Sequence, residues 1–164
     1  PPRSTLFPYT TLFRSIDTPL GAMIAATDGD AIVSLDFADE GTDIPNSDHP
    51  LLLRLEKELG EYFAGKRRTF DLPLAPRGTP FQLAVWERLR TIPYGETISY
   101  AQEAERLGNP KAVRAVASAN GRNPISILIP CHRVIATGGG LGGYSGGVEK
   151  KAFLLALERH PKSR

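Results

Sequence analysis

Between residues 73 and 80 the chain carries Pro73, Pro76, Gly78 and Pro80. Proline has no backbone N–H to give to a helix or an inner strand, so regular structure must stop on one side of this stretch and restart on the other. The charges change sign at the same place. Residues 16–79 carry 12 acidic and 6 basic side chains, and residues 80–164 carry 6 acidic and 12 basic. A polyanion is drawn to the second half only, although two domains with complementary surfaces would show the same split. The boundaries expected are 16–78 for an N-terminal α/β domain and 79–164 for a second, mostly helical one.

Residues 1–15 stand outside both. The run from Thr5 to Ser15 resembles one reading frame of a common sequencing-library adapter, so 1–15 is read as an assembly artefact, with a natural, poorly ordered N-terminus as the alternative, and takes no part in the functional reasoning. No apolar run approaches the ~20 residues that span a bilayer. With no secretory segment in view, the expected compartment is the cytoplasm, where a thiol stays reduced. There is one cysteine, Cys131, so no internal disulfide and no Cys-rich zinc site can form. The first half offers only His49 besides, and no metal is expected there.

Local signals place the elements. Residues 22–26 and 31–37 read as two strands around Asp28-Gly29, a hairpin turn pair. After a polar loop over 40–46, Ser47 or Asp48 can cap a helix from Pro50 to Phe63, with Leu52, Leu55, Leu59 and Phe63 at helical spacing and Gly65 ending it. Residues 70–72 suit a short strand. Beyond the prolines, Thr79 caps a helix with Pro80 at its first position and Phe81, Val85, Trp86 and Leu89 on one face. Ser99 with Gln102 forms a capping box for a short helix ending at Gly108, and Asn109 caps the next, over 111–120, with Val113 and Val116 inward. Two short helices joined in this way read as a helix-turn-helix. The second is rich in small residues, and Arg114 is the long cation in its middle; taken alone, Arg114 reads as a surface ion pair. Residues 125–129 suit a buried strand, and Val134-Ile135 another. Seven glycines crowd 137–147, and a last helix over 148–158 buries Phe153, Leu154 and Leu157.

Cys131 sits between Pro130 and His132 at the end of the apolar run. A free thiol is only a few per cent thiolate at neutral pH, so a nucleophile needs a base or a nearby cation. His132 is adjacent, but sequence neighbours do not normally face one another, and contact needs a turn or a bridging water. A working imidazole also needs its far nitrogen held by a carboxylate, for which Glu158 is the first candidate and Glu149 the second. Local sequence leaves a buried structural cysteine equally open.

Longer motifs go further. Pro130-Cys131-His132-Arg133-Val134 resembles the active-site motif of the O6-alkylguanine-DNA alkyltransferases. Gly95-Glu96-Thr97-Ile98-Ser99-Tyr100, Asn109-Pro110-Lys111-Ala112-Val113-Arg114-Ala115-Val116, Asn123-Pro124 and Tyr144-Ser145-Gly146-Gly147 follow that family's order and spacing, and Thr18-Pro19-Leu20-Gly21 is similar to the start of its N-terminal domain. The resemblance implies an α+β fold: a small ribonuclease H-like sheet-plus-helix domain, then a winged helix-turn-helix-like domain. It implies a monomer acting on double-stranded DNA that contains O6-alkylguanine, with no cofactor, no metal, no membrane and no obligate protein partner. Under it, Cys131 accepts the alkyl group in a single turnover after base flipping, His132 deprotonates it through a water, Glu158 orients His132, and Asn123 fixes the surrounding turns. Tyr100 donates to the guanine and helps rotate the phosphate, and Arg114 enters the vacated base stack. Ala115 and Ser118 allow close approach to the groove, and Tyr144 and Ser145 contact the base near O6 and N2. O4-alkylthymine stays open as a second substrate. A binding protein without repair activity, and a cysteine hydrolase or redox thiol, are the competing classes. The family's usual first strand would fall on the residues set aside, which puts stability in question rather than chemistry.

Overall fold

A computed structural model describes residues 10–39, 41–43 and 46–159. Residues 1–9 of the segment set aside, positions 40, 44 and 45 of the polar loop, and 160–164 lie outside the described residues. The fold is α+β, a three-stranded sheet with one helix followed by a helical half.

Strands β1 (Leu12–Thr18), β2 (Gly21–Thr27) and β3 (Ile32–Phe37) form an antiparallel meander in that order. The β2–β3 turn forms because Asp28 Oδ1 accepts from the Asp30 and Ala31 amides while Gly29 takes φ +101°, a conformation cheap only for glycine. β1 takes in Leu12, Phe13, Arg14 and Ser15 from the segment set aside, pairing Leu12 with Thr27 and Ser15 with Ile24. Arg14 reaches across to Asp48 and Glu56, both at 3.1 Å.

Helix α1 (Pro50–Phe63) lays Leu52, Leu55 and Leu59 into the core. Its cap is His49, whose ring nitrogen accepts from the Leu51 amide; Ser47, one of the two expected caps, instead accepts from the His49 amide. Residues 70–72 form no strand. Only Leu74 pairs, with Ile32, because the flanking Pro73 and Pro76 have no N–H to extend a ladder. Helix α2 (Pro80–Leu89) carries the Thr79–Gln82 capping box and buries Val85, Trp86 and Leu89, while Phe81 in its first turn stays exposed. Helix α3 (Tyr100–Arg106) has the Ser99–Gln102 box. Helix α4 (Val113–Gly121) begins four residues after Asn109, with no side-chain cap. The Asn109 amide is tied back to Ala104 O, and Ala112 N donates to Asn109 O, so residues 109–112 are spent on a turn. α4 buries Val116, Ala119 and Asn120, with Val113 only partly covered. Short strands β4 (Ile98–Ser99) and β5 (Val134–Ile135) pair in parallel. Helix α5 (Val148–Arg159) buries Leu154, Leu155 and Leu157; Phe153 lies at the rim, tilted over Phe63 at 6.3 Å, and not in the core as its spacing suggests.

One continuous apolar core runs through both halves. Leu35 of β3 receives the chain after α4: its amide donates to Pro124 O at 2.8 Å and its carbonyl accepts from Ser126 N at 2.9 Å. Residues 125–129 are buried as expected but make only this one bridge and then turn. Leu128 N donates to Ser126 O, which forces Ile127 to φ +72°. A β-branched residue there is strained by about 1–3 kcal/mol, held by the packing around it.

Candidate functional site

The strained turn is fastened by Asn123. Its Oδ1 accepts from Ile125 N at 3.0 Å, and its Nδ2 donates to Ile129 O at 2.7 Å and lies 3.3 Å from the Cys131 sulfur. One buried amide thus closes the loop and meets the thiol. Cys131 opens a 3₁₀ turn over Cys131–Arg133 and is 6% exposed. Burial pushes its pKa up to about 11, opposed by the Asn123 hydrogen bond and the nearby Lys151 ammonium.

His132 and Glu158 are brought together from 26 positions apart, Nε2 to Oε2 at 2.7 Å, with both side chains buried. Glu158 also accepts from Tyr62 OH at 2.6 Å and from Arg133 Nε and Nη2 at 2.8 and 3.0 Å. Despite burial, these donors hold its carboxyl down to about 2. It is therefore ionised at neutral pH, and the imidazole must keep its proton on Nε2. Burial holds the His132 pKa below its usual value, so the ring is neutral and Nδ1 is a lone-pair acceptor without a protein partner among the described residues. No direct hydrogen bond joins Cys131 to His132.

Tyr100, Ala117, Asn120, Gly121, Cys131, Gly143, Tyr144 and Ser145 line one cleft of about 330 Å³. Among the residues singled out in the sequence, Cys131, Tyr100, Tyr144 and Ser145 share its wall. Asn123, His132 and Glu158 lie buried behind it. Arg114, Ala115 and Ser118 do not line it; all three are exposed on α4. Arg114 makes no ion pair among the described residues, contrary to the surface-pair reading. Gly142 takes φ +75° beside Tyr100, and a Cβ there would stand 2.8 Å from the phenol oxygen. Gly142→Ala is expected to lower stability by about 1–2 kcal/mol and displace the Tyr100 ring, checked by urea unfolding and the ring's chemical shifts.

Three groups were not anticipated as site residues. Lys151 on α5 is fully buried; its Nζ donates to Val134 O at 2.6 Å and Gly143 O at 3.1 Å and lies 3.5 Å from Tyr100 OH. Its position three residues before Leu154, on the inward face of α5, was a signal that could have exposed it. Arg133 donates to Ile92 O at 2.7 Å besides Glu158, and its place inside the Pro130–Val134 motif was the signal that could have exposed it. Tyr62 shares the inward face of α1, but its partner lies 96 positions away. Among the described residues no three His, Cys, Asp or Glu side chains are arranged to hold a metal ion, and no helix is long and apolar enough to cross a membrane.

Comparison with known proteins establishes the family. Residues 9–76 match the 6-O-methylguanine DNA methyltransferase, ribonuclease-like domain, and residues 80–160 match the 6-O-methylguanine DNA methyltransferase, DNA binding domain. The constitutive methylated-DNA–protein-cysteine methyltransferase of Bacillus subtilis is 48% identical over 156 residues, 90% of this chain and 94% of that protein. The crystal structure of Mycobacterium tuberculosis O6-methylguanine methyltransferase is similar with a TM-score of 0.83 at 44% identity, covering 92% of this chain and 94% of that one. M. tuberculosis OGT in complex with DNA gives 0.82 at 44% identity, covering 90% and 92%. With both domains matched in order on either side of the proline-rich linker, the chain belongs to the O6-methylguanine DNA methyltransferase family.

Proposed function

We propose that this protein repairs O6-alkylguanine in duplex DNA by transferring the alkyl group irreversibly to its own Cys131, once per molecule. The observation that carries the reading is the Cys131 sulfur on a cleft wall between Tyr100 and Tyr144, aimed by Asn123 and backed by a neutral His132 held on Glu158. The recessed Cys131 sulfur cannot reach an alkyl group on a base still stacked in the duplex, so the nucleotide must be flipped into the cleft at a cost of roughly a few kcal/mol. Arg114 fills the gap left behind in this reading; its exposure, its lack of an ion pair among the described residues and the small neighbours Ala115 and Ser118, which suit close approach in the minor groove, support that role.

The sulfur attacks the alkyl carbon as the carbon–O6 bond breaks. The electron pair of that bond leaves with the base, which is restored to guanine by a proton at a ring nitrogen, with Tyr100 as the nearby donor and Tyr144 and Ser145 against the O6 and N2 edges. The thiol proton passes through a water to His132 Nδ1. In the resting pocket this transfer is uphill, since burial raises the thiol and lowers the imidazole. Ionisation therefore belongs to the DNA-bound state, where Glu158 stabilises the imidazolium and Lys151 the thiolate. The thioether product is not hydrolysed, so the site is consumed. O4-alkylthymine is a second substrate if the cleft accepts a pyrimidine.

The same reading assigns 16–78 to an N-terminal α/β domain, 79–164 to DNA binding and alkyl acceptance, and the protein to the cytoplasm as a monomer without cofactor. The decisive experiment is mass spectrometry after incubation with an O6-methylguanine duplex. The expected result is one methyl per molecule, on the peptide containing Cys131. Binding with no mass gain would overturn repair in favour of recognition alone, and repeated turnover would overturn the single-use mechanism.

A further inference from the structure

Beneath the cleft lies a carboxyl that the mechanism above does not use. Glu103, one turn into α3, is 1% exposed and makes no ion pair among the described residues. Its Oε1 accepts from Asn120 Nδ2 of α4 at 2.7 Å. Two further buried atoms of this pair have no hydrogen-bond partner among the described residues, Glu103 Oε2 and Asn120 Oδ1. Both are acceptors when the acid is ionised, and buried polar atoms are rarely left so. A single proton resolves both vacancies: a neutral carboxylic acid can donate from Oε2 to Asn120 Oδ1 while still accepting at Oε1.

We propose that Glu103 is a protonated acid in the folded protein, and that it and Asn120 form a cyclic pair with two hydrogen bonds that positions the cleft. The pair joins the two helices that supply the cleft walls, Tyr100 from α3 and Ala117, Asn120 and Gly121 from α4. Burial supports it, lifting the Glu103 pKa to about 7. The titratable groups facing this carboxyl are Tyr100 on its own helix and Cys131 from the 3₁₀ turn. α4 offers the Asn120 amide, the charged Glu87 and Arg88 of α2 are exposed, and β5 carries no charge. Lys151 of α5 is engaged by Val134 O and Gly143 O. Ionisation of Glu103 would thus break one hydrogen bond of the clamp and set a negative charge near Cys131, opposing its thiolate. Glu103 and Asn120 are positioning residues, and their effect on alkyl transfer rests on the function proposed for Cys131. Their protonation state does not.

The test is infrared difference spectroscopy on protein carrying isotope-labelled glutamate, run beside single-turnover alkyl transfer. At about pH 6 a protonated-acid band is expected, absent in Glu103→Gln and fading as the pH passes about 7 in the wild type. Glutamine reproduces the neutral acid, donating and accepting at the same two positions, so the variant should fold. The ratio of Glu103→Gln to wild-type transfer rate should grow severalfold between about pH 6 and about pH 8.5, because only the wild type acquires the charge. A carboxylate band for Glu103 at about pH 6 overturns the protonated pair, and a ratio that does not change with pH overturns its positioning role. An acid band with no alkyl transfer at any pH would support the pair while removing the function proposed for Cys131, so the two fail separately.

Discussion

Cys131→Ala protein will gain no mass from an O6-methylguanine duplex, however long the incubation, while it keeps its fold and still binds the DNA. The loss is complete because this is the only cysteine and no other side chain on the cleft wall is a comparable nucleophile. Tyr144 is the alternative by position, but burial drives its phenol well above the usual tyrosine range, so no phenolate is available. The structural cost is small. Asn123 Nδ2 gives up a 3.3 Å contact to sulfur, a weak acceptor, and keeps its 2.7 Å bond to Ile129 O, so the strained turn stays fastened. Removing one buried sulfur should cost at most about 1–2 kcal/mol, read from the urea midpoint. Titration by fluorescence anisotropy checks the binding, which the proposed mechanism assigns to the exposed face of α4 and not to the thiol. Any alkyl transfer by this variant contradicts the assignment.

Glu158→Gln should damage stability and rate together. Four donors from Tyr62, His132 and Arg133 converge on two carboxylate oxygens. Glutamine keeps one of those oxygens and turns an amide toward the donors that faced the other. It also leaves the Arg133 guanidinium buried without a counter-charge, a loss of about 3–5 kcal/mol. The imidazole loses the partner that fixes its proton on Nε2, and single-turnover transfer should fall by roughly two to four orders of magnitude, measured where the variant remains folded. A pH signature separates this network from ordinary packing. The folded Glu158 pKa lies near 2 against an ordinary 4.5, so its stabilising contribution is fully present above about 4.5 and is lost as pH falls toward 2. That acid-induced loss, about 3 kcal/mol, should be missing from the variant's unfolding free energies. Glu103 acts in the opposite sense: its raised pKa gives stability that is present below about 4.5 and declines as pH rises to about 7.

Elements with local signals were legible in the sequence. The Asp28-Gly29 turn, the Thr79–Gln82 and Ser99–Gln102 boxes and the leucines of α1 each encode their structure within a few residues, and each forms where that chemistry puts it. The site was legible where a carboxylate was needed for His132, since α5 supplies only two candidates and Glu158 is the one that reaches the ring. What escaped depends on distant contacts. The buried run 125–129 has the composition of a strand, yet β3 offers it a single bridge before Asn123 pulls the chain round. Lys151, Glu103 and Tyr62 look like surface or core residues until the partners that satisfy them are known. Leu12–Ser15, set aside on sequence, complete the edge of the sheet because strand pairing depends on backbone and asks little of particular side chains.

The way β3 grips the reactive turn bears on protein engineering. The halves are held by the two Leu35 backbone bonds, the Tyr62–Glu158 contact and a common core, while the start of the proline-rich linker is tied to the first half through Ile32. A chain cut within that linker should therefore reassemble from its two fragments. Neither fragment alone would hold Cys131 against Asn123 and Glu158 in a braced turn, so covalent labelling of the thiol would record the meeting of whatever two partners the fragments are fused to. Because the alkyl group stays on the sulfur, such a record would persist after the partners had separated.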